Sequence, residues 1–157
     1  MIDLKDIQMV LFDFDDTLCI HNNHGHTPSD EIALEVEVYR GNNPWNKHSK
    51  SIHMQGLINE CVEREIKIGL MSQVTSFATA VEKIKWVKEM YGVTMENYCV
   101  GDKKCKLTML CILAKAFNIN RSSIMIIDDR SDILNESAEE GFIACSPMQV
   151  VNYISNK

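Results

Sequence analysis

The segment IQMVLFDFDDTLC, residues 7 to 19, constrains this chain more than any other. An apolar run through Met9, Val10, Leu11 and Phe12 reads as a buried β-strand, and it leads straight into Asp13, Asp15 and Asp16. Unpaired buried charge costs several kcal/mol or more. The carboxylates therefore belong at the end of the strand, and they need partners.

The rest of the chain alternates strand-like and helical patterns. Residues 8–12 read as a strand, 52–65 as a helix, 66–71 as a strand and 76–91 as a helix that Gly92 is placed to end. In that last helix Phe77, Ala80, Val81, Ile84, Val87 and Met90 are expected on one apolar face, with Trp86 as partly buried packing. YCV (98–100) reads as a short strand, 106–117 as a helix, 123–127 as a buried strand and 131–140 as a helix closed by Gly141. FIAC and a helix from Pro147 complete the chain. This alternation predicts an α/β fold, a three-layer Rossmann-like parallel sheet with helices on both faces, within one domain spanning 1–157. Residues 19–51 interrupt it. They are too few for an independent domain and read as a small flap inserted after the first strand. The alternation of Ile32, Leu34, Val36 and Val38 suits a strand there, with helix as the competitor because Thr27-Pro28 resembles a helix start.

Composition narrows the partners. A hydrophobic fraction of 45% with 24% charged residues belongs to a folded globular chain, and no apolar run approaches the roughly 18 residues of a membrane span. The N-terminal MIDLKDIQMV lacks the basic start and long apolar stretch of a secretory signal, and Cys19, Cys61, Cys99, Cys105, Cys111 and Cys145 form no C-x-x-C pair. Reduced thiols and a cytoplasmic location are expected. A net charge of −6 argues against nucleic-acid partners, which call for a basic face.

In open parallel sheets, ligands bind beyond the carboxyl ends of the strands. After the first predicted strand come Asp13, Asp15 and Thr17; after the second, Ser72; after the fourth, Asp128, Asp129 and Asp132. The cluster KKCK supplies Lys103, Lys104 and Lys106 to the same rim. Carboxylates gathered this closely call for a hard divalent cation, and oxygen ligands in small number suit Mg²⁺. A hydroxyl and an ammonium beside that cation suit a phosphoryl group.

This ordered set, D-x-D-x-T after a strand, then a serine, a lysine and an acidic pair, resembles the phosphatase branch of the haloacid dehalogenase-like superfamily. Only the flap is unmatched. The resemblance implies a Mg²⁺-dependent phosphomonoester hydrolase. Asp13 would be the nucleophile that forms an aspartyl-phosphate, and Asp15 the general acid and then base. Mg²⁺ would be held by the Asp13 side chain, the Asp15 backbone carbonyl and Asp128. Ser72 would donate to a phosphoryl oxygen. Among the three lysines Lys106 is favoured, because the family's lysine commonly opens a helix with an apolar residue four positions on, here Leu110. Asp128 and Asp132 match a D-x-x-x-D spacing, with Asp129 between them as a supporting or alternative ligand, and Thr17 supports the turn.

Two alternatives stay open: a phosphotransferase of the same superfamily, and a phosphate-binding module with weak or no turnover. A receiver domain would need its accepting aspartate after the third strand, where Asp102 lacks matching partners. The substrate is a phosphorylated small molecule or extended chain, and a site covered only by a flap should be open. KWVKEMYGV and IIDDRSD bear some likeness to the phosphatase halves of polynucleotide end-processing enzymes, against which the acidic charge weighs. His21, His24, His26, His48 and His53 lie in or beside the flap and read as a solvated loop, and Trp45 as a pin between flap and core.

Overall fold

The first strand, β1 (Met9–Phe12), is buried at every position. It lies at the centre of a chain whose computed structural model describes residues 2–21 and 28–156, with side chains described from residue 33 in the second stretch. After β1 come β2 (Cys19–Ile20), α1 (Pro28–Tyr39), a 3₁₀ turn at Pro44–Lys47 and β3 (Ser49–Lys50). Then follow α2 (Ile52–Glu63), β4 (Lys67–Leu70), α3 (Phe77–Tyr91), β5 (Glu96–Asn97) and α4 (Cys105–Ala116). The chain ends with β6 (Ile124–Ile127), α5 (Ser131–Glu139), β7 (Ile143–Cys145) and α6 (Pro147–Ser155).

Five parallel strands form the sheet in the order β5-β4-β1-β6-β7. Successive side chains of a strand point to opposite faces, and the core divides accordingly. Val10, Phe12, Met125 and Ile127 pack with Leu57, Ile58, Trp86, Val87 and Val150 of α2, α3 and α6. Met9, Leu11, Ile124 and Ile126 pack on the other face with Leu110, Leu113 and Ile133 of α4 and α5. Each such side chain is worth about 1.5–3 kcal/mol when fully buried. This is the expected Rossmann-like three-layer architecture. Because the chain runs outward from β1 to β4 and β5 and then returns to β6, the crevice beyond β1 and β6 is the topological switch point of the sheet.

Helix boundaries follow local chemistry. Ser76 caps α3 by accepting the Thr79 N–H at 3.2 Å, and Gly92, at φ 72°, closes it in the left-handed conformation. Ser146 and Gln149 form a reciprocal capping box at the start of α6.

Three details depart from the sequence reading. Residues 32–38 are part of the helix α1, not a strand. In a helix Leu34 and Val38, four positions apart, share one face, and in α1 Val38 is buried while Val36, on the other face, is exposed. The strand expected at 98–100 is displaced to Glu96–Asn97, and Val100 makes only an isolated bridge to Gln73. The buried face of α3 is turned away from the expected one: Thr79, Ala80, Lys83, Trp86, Val87 and Tyr91 are buried, whereas Phe77 is exposed. Trp86 is wholly buried rather than partly, because its indole N–H donates to the Trp45 carbonyl at 2.9 Å and Phe14 packs edge-on against it.

The 3₁₀ turn at Pro44–Lys47 and the β2–β3 pair are pinned in the same way. Trp45 is almost entirely buried, with its ring edge-to-face against Phe14. The Tyr91 hydroxyl donates to the Leu18 carbonyl at 2.6 Å and accepts the Ser51 N–H at 2.9 Å, fixing the β2–β3 pair onto α3.

Candidate active site

The backbone after β1 turns sharply. The Asp13 N–H still belongs to the sheet, donating to the Ile127 carbonyl at 2.8 Å, but the N–H groups of Leu18 and Cys19 fold back onto Phe14 O. Asp16 makes the turn at φ 54°, a left-handed conformation that a short acidic side chain tolerates better than most. Asp16 thus shapes the loop, and Asp13 and Asp15 are left facing the switch-point crevice. Thr17 is wholly buried in the turn, and its hydroxyl finds no hydrogen-bond partner among the described residues.

Helix α4 delivers Lys106. Lys106, Leu110, Leu113 and Ala114 form its buried stripe, so an ammonium occupies the first position of an otherwise apolar face. Its Nζ donates to Asp13 Oδ1 at 2.8 Å and to Asp128 Oδ2 at 2.6 Å. Lys104 is exposed, and Lys103 reaches the cleft wall 4.0 Å from Asp132. Burial works against the charge on Lys106, yet Asp13 and Asp128 outweigh it and hold the group protonated above its ordinary range. Asp13 responds in the opposite way. Burial, with added repulsion from Asp128 and Asp15, pushes its carboxyl up to about 7 despite the Lys106 ammonium.

Asp13, Asp128 and Asp129 each present a carboxylate oxygen within 4.8 Å of the others. Asp128 is fully buried, with Oδ1 accepting the Arg130 N–H at 3.0 Å, while Asp129 lies exposed at the rim. Burial and the Asp128 charge raise the Asp129 carboxyl above its ordinary range. Asp132 does not join them. Its side chain is half exposed and accepts from Arg130 at 2.7 and 3.1 Å, because the first turn of α5 carries it outward.

Two residues passed over in the sequence complete the arrangement. Lys83 is 3% exposed, and its Nζ donates to Asp15 Oδ2 at 2.6 Å and to Ser72 Oγ at 2.9 Å. His21, expected in a solvated loop, has a side chain only 6% exposed and lies with Nε2 2.9 Å from the other oxygen of Asp15. Burial would raise the Asp15 carboxyl, but the Lys83 charge and the hydrogen bonds from His21 and Lys83 hold it well below the usual carboxylate range. No sequence signal marks Lys83: spacing places it off the expected apolar face of α3, and the packing of that helix turns it inward. His24 and His26 lie outside the described residues, and the His48 ring lies 4.4 Å from that of His21.

Asp13, Asp15, Ser72, Lys83, Lys106 and Asp129 border one cleft of about 250 Å³, lined also by Leu34 and Glu35 of α1, Trp45 and Thr79. The site is therefore less open than a bare flap implied, since α1 forms one wall. Asp13, Asp15, Asp128 and Asp129, when ionised, outnumber the ammoniums of Lys83 and Lys106 by two charges. A set of hard oxygen donors with that excess fits one divalent cation.

No family model and no curated protein matches the chain. Solved structures do. Deoxy-D-mannose-octulosonate 8-phosphate phosphatase from Haemophilus influenzae, in a cobalt-bound form, is 18% identical at a TM-score of 0.56, over 95% of this chain and 75% of its own. A putative haloacid dehalogenase-like hydrolase from Bacteroides fragilis gives a TM-score of 0.60 at 14% identity, over 88% of this chain and 86% of its own. A mutant of CbbY from Rhodobacter sphaeroides, in complex with xylulose 1,5-bisphosphate, gives 0.64 at 11% identity, over 89% and 85%. The chain spans 65% of the length of a further match, a hypothetical protein from Xanthomonas campestris. The fold is that of the haloacid dehalogenase-like hydrolases.

Proposed function

We propose that the chain is a Mg²⁺-dependent phosphomonoester hydrolase that works through an aspartyl-phosphate on Asp13. The observation that carries this reading is the position of Asp13. A buried carboxylate at the end of the central strand is held by Lys106 and stands within 4.8 Å of the Asp128 and Asp129 oxygens.

Asp13, Asp128 and the Asp15 backbone carbonyl would hold the cation, with Asp129 a further oxygen ligand. When bound, it would neutralise charge on the transferring phosphoryl group. An Asp13 oxygen attacks phosphorus, the ester bond breaks, and the leaving alkoxide takes a proton from Asp15. Water then attacks the aspartyl-phosphate, gives its proton to Asp15 and releases inorganic phosphate, which regenerates Asp13. Asp15 is held ionised by Lys83 and His21 in the substrate-free chain, so the proton it first donates is taken up as substrate binds. Ser72 and Lys106 bind phosphoryl oxygens, the one by a hydroxyl and the other by a charge. Asp132 has no part in this scheme, and Thr17 serves the turn.

The cleft volume of about 250 Å³ and the wall formed by α1 favour a small phosphorylated molecule over an extended chain. The likeness to a protein solved with a sugar bisphosphate supports the same class. We place the reaction in the cytoplasm, where the buried thiols Cys19, Cys61 and Cys145 stay reduced. A panel of phosphomonoesters assayed for phosphate release with Mg²⁺ or with chelator tests the reading, with Asp13→Asn as control. Turnover that needs Mg²⁺ and is lost in Asp13→Asn supports it; no turnover on any ester favours a phosphate-binding module. Added acceptor alcohols that divert phosphate into new esters would make the chain a phosphotransferase.

A further inference from the structure

Asp15 is gripped at both carboxylate oxygens. Oδ2 accepts from Lys83 Nζ at 2.6 Å, and His21 Nε2 lies 2.9 Å from Oδ1. The two partners come from different elements: His21 follows β2, whereas Lys83 projects from the buried stripe of α3. Lys83 is the more constrained. Its ammonium also donates to Ser72 Oγ at 2.9 Å, lies 3.4 Å from the Gln73 carbonyl, and stands 4.7 Å above the Phe14 ring and 5.6 Å from that of Trp45. A lysine in an aromatic recess is expensive to keep there unless its charge is used.

We propose that Lys83 is a positioning residue for the general acid, fixing the Asp15 carboxylate and the Ser72 hydroxyl in one rigid unit, with His21 as the second jaw of the clamp. The proposal rests on the phosphomonoester-hydrolase reading above. Lys106 serves the nucleophile and the acids around it; Lys83 serves the residue that handles the leaving group. A carboxyl on a short side chain at a loop has several rotamers, and proton transfer demands one of them to within hydrogen-bond reach. Two donors on separate elements remove that freedom, and the link to Ser72 ties the acid's position to that of the phosphoryl oxygen.

The role has a signature that packing or phosphate binding alone lacks. Proton donation matters for a poor leaving group and hardly at all for a good one. Lys83→Met keeps the unbranched stem of the side chain and removes its charge. It should lower kcat on an alkyl phosphate such as glycerol 2-phosphate by on the order of 10²-fold, against about threefold or less on p-nitrophenyl phosphate, with KM nearly unchanged on both. Lys83→Arg should recover a substantial part of the loss, and Lys83→Met should cost nothing more in an Asp15→Asn background. Equal losses on both esters, a rise in KM with kcat intact, or a further loss on top of Asp15→Asn would each overturn the proposal. If Lys83→Met does not fold, Lys83→Arg and His21→Gln carry the test. His21→Gln should show the same leaving-group dependence, and its absence there counts against the clamp. Wild-type protein that hydrolyses neither ester overturns the hydrolase reading itself; an active wild type with an indifferent Lys83→Met overturns only the clamp.

Discussion

The ammonium of Lys106 lies 2.8 Å from Oδ1 of Asp13, a residue 93 positions earlier in the chain. The same nitrogen holds Asp128 at 2.6 Å, so one buried cation keeps two buried carboxylates apart from each other's charge. Lys106→Met leaves both without it. In the metal-free protein that should cost about 3–5 kcal/mol of stability, the usual penalty for breaking a buried ion pair from one side. Urea denaturation with and without Mg²⁺ measures it: saturating Mg²⁺ should return part of the loss. A change below about 1 kcal/mol would mean that the acids are already neutral.

The raised Asp13 carboxyl links stability to pH. An unfolded carboxyl titrates near 3.8, and burial lifts the folded one to about 7. Between those values the native metal-free chain holds a proton that the unfolded chain has released. This group's contribution to stability is therefore full below pH 4 and falls as pH rises towards 7. Mg²⁺ competes with the same proton. The rise in Tm that Mg²⁺ produces should be small at about pH 5.5 and large at about pH 8. A Mg²⁺ effect constant across that range would remove Asp13 from the metal site.

Asp129 and Asp132 should part company. Asp129→Ala removes an oxygen from the acid cluster and should weaken Mg²⁺ binding about tenfold or more, the scale of losing a supporting ligand. Asp132→Ala breaks only the exposed pairing with Arg130 and should leave kcat and Mg²⁺ affinity within about twofold. Calorimetric titration with Mg²⁺ distinguishes them, and the reverse ranking would return Asp132 to the site.

These residues also mark how far the sequence could be read. Asp13, Asp15, Ser72 and Asp128 stand out as candidates because each lies within three residues of the end of an apolar strand, a local pattern that the sheet converts into proximity. Lys106 was legible from its place at a helix start. Lys83 and His21 were not, because what makes them part of the site is the packing of α3 and the β2–β3 pair, which no spacing encodes. Asp132 shared the spacing of a ligand but sits where the first turn of α5 carries its side chain towards Arg130. Residues 32–38 read as a strand because strict alternation favours a period of two, while the helical cue at Thr27-Pro28 lies at the start of α1 and outside that stretch.

Trp45 holds the 3₁₀ turn at Pro44–Lys47 to the core, through Phe14 and through its carbonyl's bond from Trp86. Trp45→Ala should cost about 3–5 kcal/mol, as for other buried aromatic residues. It should also raise KM, because Trp45 lines the cleft beside α1. Thermal melts and steady-state kinetics check the two effects, and an unchanged KM would mean that α1 keeps its place without this anchor.

The central claim concerns one covalent bond. Protein mixed with ³²P-labelled phosphomonoester and Mg²⁺, quenched in acid during turnover and reduced with borohydride, converts a phosphorylated aspartate to homoserine. Peptide mapping should find acid-stable label before reduction, and homoserine after it, at Asp13. Homoserine at any other aspartate, or rapid phosphate release with no label on the protein at any time, would contradict the account.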